Sequence, residues 1–229
     1  MRILINGGTR GIGRETAILF SNVKTNELIV TGRSNKALDN LRSEYAGISV
    51  FQFDITSSDE EYNRLKGFIS RHSDKIDIMI NCAGYLKSER FIDINNDEVR
   101  KMFETNFFGP ARMIRHLQPL MAENSHIVNI TSMGGFQGSS KFSGMSYYSA
   151  SKAALACLSE CLALEFAENK ISVNALALGA VQTEMLEEAF PGYTAPVTAA
   201  GMAEFIVEFA TSGHKYFNGK ILPVSISTP

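Results

Sequence analysis

The sequence predicts an α/β domain built on one doubly wound parallel sheet of about seven strands, in a three-layer α/β/α arrangement. Three observations predict it. First, short runs rich in Ile, Val and Leu recur along the chain. RILIN (2–6) reads as a strand that starts almost at residue 1. ELIVT (27–31), ISVFQF (48–53), IDIMI (76–80), HIVNIT (126–131), ISVNALAL (171–178) and KILPV (220–224) follow it. Most lack polar alternation, which is how strands covered on both faces read. Second, helical stretches near 11–22, 35–45, 58–71, 97–122, 147–169 and 200–211 separate these runs, and such an alternation builds parallel strands with crossover helices. Third, the first strand passes straight into the glycine-rich turn NGGTRGIG (6–13). No linker, repeat or low-complexity tract divides the chain, so residues 1–229 are read as a single domain.

Composition narrows the function. The chain is 45% hydrophobic and 20% charged, ordinary for a globular protein, with a formal net charge of −2. No basic block supports a nucleic-acid partner. No apolar run approaches the roughly eighteen residues of a membrane span. MRILINGG turns glycine-rich too soon for a signal peptide, and a cytoplasmic protein is expected. Three cysteines imply no disulfide framework. Cys157 and Cys161 share a helix face, but no histidine or carboxylate cluster joins them to make a metal site. His72, His116, His126 and His214 lie far apart, so no metal is expected.

In the first turn, Gly7, Gly11 and Gly13 have the spacing of a dinucleotide loop. Glycine there permits a tight turn and a close backbone approach to a pyrophosphate, while the helix N-terminus offers N–H groups and partial positive charge. It is not a P-loop, because no Gly-Lys-Ser/Thr follows. An NAD site usually carries an acid just past the second strand, to bind the ribose 2′-OH. Here the strand ends IVTGRSNK, with Gly32 and Arg33 where an acid would stand, and Arg10 inside the turn. Two guanidiniums suit a 2′-phosphate, so NADPH is expected over NADH.

Residues 147–152 read YYSASK. Positions four apart share a helix face, so Tyr148 and Lys152 point the same way, while Tyr147 faces with Ser151. Taken alone, the pair also fits a solvated helix surface. The helix itself, with AALACLSECLALEF, is apolar on almost all sides, which implies burial all round. A second subunit is the simplest cover, so a homodimer or homotetramer pairing this helix with the one near 97–122 is expected.

Together these stretches resemble the classical short-chain dehydrogenase/reductase family, over essentially the whole chain. NGGTRGIG resembles the family's TGxxxGIG, with Asn6 in place of the threonine. NCAG (81–84) resembles NNAG, with Cys82 replacing the second asparagine. Asp54 stands where the family places an aspartate beside the adenine. TNFFG (105–109), ITSMGG (130–135) and YSASK (148–152) carry Asn106, Ser132, Tyr148 and Lys152, the family's catalytic tetrad. The resemblance implies a Rossmann fold and hydride transfer between a nicotinamide and a carbonyl or alcohol. It places the dinucleotide against Gly7, Thr9, Arg10, Gly11, Ile12 and Gly13 of the first turn. Beyond that turn come Arg33, Ser34, Asp54, Ile55, Asn81, Ala83 and Gly84, then Tyr148, Lys152, Gly179, Val181 and Thr183.

The roles follow from the chemistry. A free tyrosine titrates near 10 and is a poor acid or base at neutral pH. The Lys152 ammonium, and the charge of an oxidised nicotinamide, would favour its phenolate. Tyr148 is then the proton donor to the developing alkoxide, and Ser132 hydrogen-bonds that oxygen. By the resemblance, Lys152 also holds the ribose hydroxyls and Asn106 a water on the proton path. Strand alternation would turn Thr131 away from the site.

The resemblance thins after the sixth strand. In LGAVQTEM (178–185), Leu178 replaces the family proline, while Gly179 and Thr183 stay in register. EMLEEAFPGYTAPVTAAG (184–201) is short for the segment that covers the substrate. Met185, Leu186, Phe190 and Tyr193 could form a small apolar lid or pack on the sheet edge. A short lid suits bulky or carrier-bound carbonyls, of which a 3-oxoacyl thioester is the family's generic example. A regulatory or scaffold protein of this fold without turnover would be expected to miss part of the tetrad, and all four residues are present.

Overall fold

The structure is a computed structural model and describes residues 1–226. Seven parallel strands form one sheet: β1 Arg2–Asn6, β2 Glu27–Gly32, β3 Ile48–Gln52, β4 Ile76–Asn81, β5 Met121–Ser132, β6 Ser172–Leu178 and β9 Ile221–Val224. Their order is β3-β2-β1-β4-β5-β6-β9. A second, two-stranded sheet pairs β7 Val181–Gln182 with β8 Val197–Thr198.

Alternate residues of each strand enter opposite cores, which is why the strands read as unbroken apolar runs. Ile3, Ile5, Leu28 and Val30 pack with Phe20 of helix α1 (Gly11–Ser21), Leu38 and Leu41 of α2 (Asn35–Glu44), and Ile206 and Phe209 of α8 (Ala199–Ser212). Leu4, Ile29, Met79 and Ile127 face the other way. They meet Leu65 and Ile69 of α3 (Asp59–His72), Met113 and Leu117 of α5 (Gly109–Leu117), and Ala163 of α6 (Ser146–Glu165). Each fully buried Leu or Ile contributes about 1.5–3 kcal/mol of apolar burial.

The sheet order places the site. The chain winds from β1 outward through β2 to β3, then returns to lay β4 on the other side of β1. The two crossovers part there, and a crevice opens at the carboxyl ends of β1 and β4. Buried Tyr62 of α3 braces one wall of it. Its hydroxyl lies 2.6 Å from the Ile55 carbonyl and 3.0 Å from that of Gly109, joining the loop after β3 to the start of α5.

Two expectations need correction. The stretch near 97–122 is not one helix. It comprises α4 (Asn96–Phe103), a π-helical turn over Glu104–Phe108, α5, a 3₁₀ turn over Gln118–Leu120, and the start of β5 at Met121. Pro110 has no N–H for the carbonyl of Asn106 four residues earlier, and the wider turn absorbs that break. Pro119 lies in the 3₁₀ turn that closes the segment. The stretch near 147–169 ends earlier than expected, with α6 closing at Glu165 and a 3₁₀ turn over Ala167–Asn169.

Buried His126 on β5 links the sheet to α8. Its Nδ1 lies 3.0 Å from the Ala210 carbonyl and its Nε2 3.0 Å from the Asn174 amide nitrogen. A neutral ring satisfies both if Nδ1–H donates and Nε2 accepts. Burial is the main cause that pushes its pKa down to about 4, from 6.5. The unfolded chain therefore binds more protons between those values, so stability is complete above about pH 6.5 and falls as pH drops toward 4. The loss from this residue reaches roughly 3 kcal/mol by pH 4. Urea unfolding across this range should show that slope, and His126→Leu should flatten it.

Candidate active site

The crevice is a cavity of about 550 Å³. Its floor is the turn between β1 and α1. Gly7 has φ +84°, and a Cβ there would stand 2.5 Å from the Ala83 nitrogen. A Cβ on Gly13 would stand 2.2 Å from the Gly7 carbonyl oxygen. These glycines let the turn close on itself and on the loop after β4. No side chain caps the α1 N-terminus and no acid lies in its first turn, so its N–H groups and partial positive charge suit an anion.

Thr9, Arg10, Gly11 and Ile12 line the cavity with Gly7 and Gly13. At the end of β2, a Cβ on Gly32 would fall 2.4 Å from Thr9 Cγ2, so the position expected for an acid has no room for a side chain. Arg33 follows it, exposed and on the cavity wall. Asp54 and Ile55 line the same end. Asp54 Oδ1 accepts from the Thr56 amide at 2.9 Å and the Thr56 hydroxyl at 2.8 Å, which holds its carboxylate in place. Ser34 is placed differently: it lies off the cavity wall, and its hydroxyl caps α2 by accepting from Ala37 N at 3.2 Å.

Asn81 also lies off the wall, inside the sheet. Thr31, Asn6, Asn81 and Asn129 occupy one register across β2, β1, β4 and β5. The Thr31 hydroxyl donates to Asn6 Oδ1 at 3.0 Å, and Asn81 Nδ2 to Asn129 Oδ1 at 2.8 Å. Asn129 Nδ2 donates to Ser159 Oγ at 2.9 Å, and that hydroxyl to the Leu155 carbonyl at 2.8 Å. This buried ladder ties the strands beneath the cavity to α6, which carries Tyr148 and Lys152. One rung is open, because Asn6 Nδ2 and Asn81 Oδ1, a donor and an acceptor on paired strands, have no partner.

Above the ladder stand Ser132, Tyr148 and Lys152, all on the cavity wall. Ser132 ends β5, and its Oγ accepts from Gly134 N at 3.1 Å, which leaves its own proton to donate. Buried Thr131 gives its hydroxyl to the Leu176 carbonyl instead, at 3.1 Å. Lys152 is 3% exposed, and its Nζ donates to the Ile130 carbonyl at 2.9 Å. Burial lowers its pKa to about 8, with the Cys82 thiol pulling the other way. The Tyr148 pKa moves opposite to expectation. Burial raises it to about 12, hydrogen bonding to Ser132 lowers it, and Cys82 adds to the rise. Desolvation decides the direction, and the attraction expected from Lys152 is not among the causes of the shift.

Asn106 is fully buried in the π-helical turn, behind the cavity wall. Its Oδ1 accepts from Tyr85 N at 2.8 Å, while its Nδ2 donates to the Tyr85 carbonyl at 2.8 Å and to Ser151 Oγ at 3.0 Å. It thus staples the loop after β4 to α6. A Cβ on Gly84 would stand 3.6 Å from Asn106 Oδ1 and 3.6 Å from Lys152 Nζ, so this loop lies directly over both. Ala83 and Gly84 line the cavity, as do Gly179, Val181 and Thr183.

The segment after Thr183 forms a short helix, α7 (Glu184–Ala189), and Met185, Leu186, Phe190 and Tyr193 lie on the cavity wall. Sequence reasoning missed Leu86, Met133, Phe142 and Met145, which complete the apolar end. They lie in loops and in the first residues after strands, where no periodicity marks a lining residue. Among the described residues no cluster of His, Cys, Asp and Glu could hold a metal ion.

Residues 1–194 match the family model for short chain dehydrogenases. Dehydrogenase/reductase SDR family member 7B of Xenopus tropicalis is 32% identical over 202 residues, 83% of this chain and 64% of that protein. Its Mus musculus counterpart is 33% identical over 80% of this chain and 58% of its own, so the chain spans less than two thirds of these two relatives. The 3-oxoacyl-[acyl-carrier-protein] reductase FabG of Chlamydia trachomatis is 27% identical over 96% of this chain and 94% of its own. Among solved structures, a Brucella melitensis short-chain dehydrogenase/reductase (glucose/ribitol dehydrogenase) superposes with a TM-score of 0.89 over 100% of this chain and 96% of its own, at 21% identity. A 3-ketoacyl-(acyl-carrier-protein) reductase of the same organism, complexed with NADH, has a TM-score of 0.87 at 21% identity, covering 98% of this chain and 96% of its own. At that identity, the two structures establish a shared fold.

The ladder makes a prediction of its own. Asn129→Leu leaves the Asn81 amide without its acceptor and removes the Asn129 amide's bond to Ser159. Chemical denaturation should register a loss of about 2–4 kcal/mol.

Proposed function

The chain belongs to the short-chain dehydrogenase/reductase family, and from that premise we propose that it is an NADPH-dependent carbonyl reductase with Tyr148 as its proton donor. The observation that carries the reading is the convergence of Ser132, Tyr148 and Lys152 on the cavity whose floor is the glycine turn. The residues present fit a dinucleotide, since the turn is closed to any Cβ at Gly7 and Gly13 and the α1 N-terminus is uncapped. Gly7, Gly11 and Gly13 would hold the pyrophosphate, Asp54 and Ile55 the adenine end, and Gly179, Val181 and Thr183 the nicotinamide end. When bound, the nicotinamide supplies hydride to the carbonyl carbon.

The chain's own residues manage the proton. Tyr148, held protonated by burial, gives its hydroxyl proton to the carbonyl oxygen as negative charge develops there. Ser132 donates a hydrogen bond to the same oxygen. With a pKa of about 8, Lys152 is mostly ammonium at neutral pH, and its charge favours the phenolate that forms. Pro110 leaves the Asn106 carbonyl without its α-helical donor, and we assign to that carbonyl a water on the proton path to Lys152.

NADPH is favoured over NADH by two features of the cavity, at the end of β2 and in the glycine turn. Thr9 fills the space an acid would need at position 32, and Arg33 and Arg10 stand on the cavity wall. The substrate is a ketone or 3-oxoacyl thioester, consistent with the apolar end of the cavity. Among the described residues no helix is long and apolar enough to cross a membrane, and on this reading the enzyme works in the cytoplasm. It does so as a homodimer or homotetramer through α4, α5 and α6, where Phe108 is 46% exposed and Leu164 82% exposed.

NADPH consumption against a panel of ketones, quinones and 3-oxoacyl thioesters tests the reading. Turnover in the wild type should fall by about 10²–10⁴ in Tyr148→Phe with NADPH binding retained. Arg33→Ala should weaken NADPH about tenfold and leave NADH nearly unchanged. NADPH binding without any turnover would favour a regulatory protein of this fold, and equal loss of both cofactors would overturn the preference.

A further inference from the structure

Helix α7 turns two carboxylates toward the glycine turn. Glu184, its first residue, brings Oε2 to 3.4 Å from the point where a Cβ on Gly11 would stand. Gly11 opens α1, so a carboxylate lies beside the partial positive end of that helix. Glu188, one turn further on and on the same face, places Oε1 3.4 Å from Arg10 Nη1. Thr183 anchors both. Its Cγ2 lies 3.3 Å from the same point over Gly11, and its hydroxyl caps α7 by accepting from Leu186 N at 3.3 Å. The contact is therefore built by three residues of one short segment against two of the turn.

We propose that Glu184 and Glu188 set the affinity and the selectivity of the cofactor site from the lid, by different routes. This inference rests on the reading of the cavity as a dinucleotide site. Glu184 stands against the part of the site common to both nicotinamide dinucleotides, so its charge opposes any pyrophosphate there. Glu188 holds Arg10, one of the two guanidiniums assigned to a 2′-phosphate. A guanidinium engaged with a carboxylate has fewer donors to offer a second anion, so Glu188 opposes NADPH and is indifferent to NADH. Glu188 acts through Arg10 and is a positioning residue. Glu184 acts directly on the bound anion. Because both acids are exposed, each effect is modest and screened by salt.

The test is calorimetric titration of the chain with NADPH and with NADH at low ionic strength. Both positions are on the surface, so Glu184→Gln and Glu188→Gln leave the fold intact. Glu184→Gln should tighten both cofactors by about threefold, whereas Glu188→Gln should tighten NADPH by about threefold and leave NADH unchanged. In an Arg10→Ala background, Glu188→Gln should have no further effect on NADPH. The proposal is overturned if Glu188→Gln shifts both cofactors alike, if its effect survives in Arg10→Ala, or if neither variant changes either constant. A wild-type chain that binds neither cofactor would instead sink the dinucleotide reading, and this inference with it.

Discussion

The structure depends on the seam between β1 and β4. The Asn6 carbonyl accepts from both Cys82 N at 2.9 Å and Ala83 N at 3.0 Å, while Gly7 N and Gly8 N both donate to the Thr31 carbonyl, at 2.9 Å and 3.1 Å. The end of β1 is thereby clamped between its two neighbours. That clamp holds only while Gly7 lacks a side chain, because Ala83 occupies the space a Cβ would take. Everything at the site is referenced to this seam. It aims the α1 N-terminus into the cavity on one side, and on the other it sets Gly84 above Asn106 and Lys152.

Beneath the seam, the asparagine ladder carries the same registration across the sheet to α6. Asn129 both accepts, from Asn81, and donates, to Ser159, whereas Asn6 only accepts and Asn81 only donates, and their unpaired groups stand where the series would continue. Above it, burial controls the protonation states. Cys82 is part of that environment, because its thiol, pushed up to about 11 by burial, brings no charge beside Tyr148 and Lys152. Desolvation on this wall favours the neutral phenol of Tyr148, even with the Lys152 ammonium on the same wall. On the proposed reading, this is the condition a proton donor needs before the carbonyl oxygen begins to gain charge.

Much of this was legible in the sequence, and the limits have physical causes. The seven strands were visible because both faces of the sheet are covered, which leaves each strand apolar throughout. The glycine turn was visible because backbone conformation and close approach demand that residue at fixed spacing. The break within 97–122 was marked only by Pro110 and Pro119, and a helical periodicity that resumes after a π-helical turn hides the interruption. Ser34 and Asn81 sit in motif positions, but their side chains face a helix end and the sheet interior, and a one-dimensional motif does not say where a side chain points. The Tyr148 and Lys152 spacing located the pair, yet the direction of the Tyr148 shift depends on how much water the surrounding loops exclude. The exposed acids of α7 carried no signal, since charges on a short helix read as a solvated face.

The most direct test of this account is the titration of Tyr148 in chain labelled with ¹³C at the tyrosine Cζ, with Tyr148→Phe identifying the resonance. The account predicts a pKa near 12 in the protein alone, and a clear fall when NADP⁺ brings its positive ring against the same wall. A Tyr148 that titrates near 10 in both states would show a solvated phenol insensitive to the cofactor. It would contradict the claim that burial holds the proton and that the cavity seats the nicotinamide beside it.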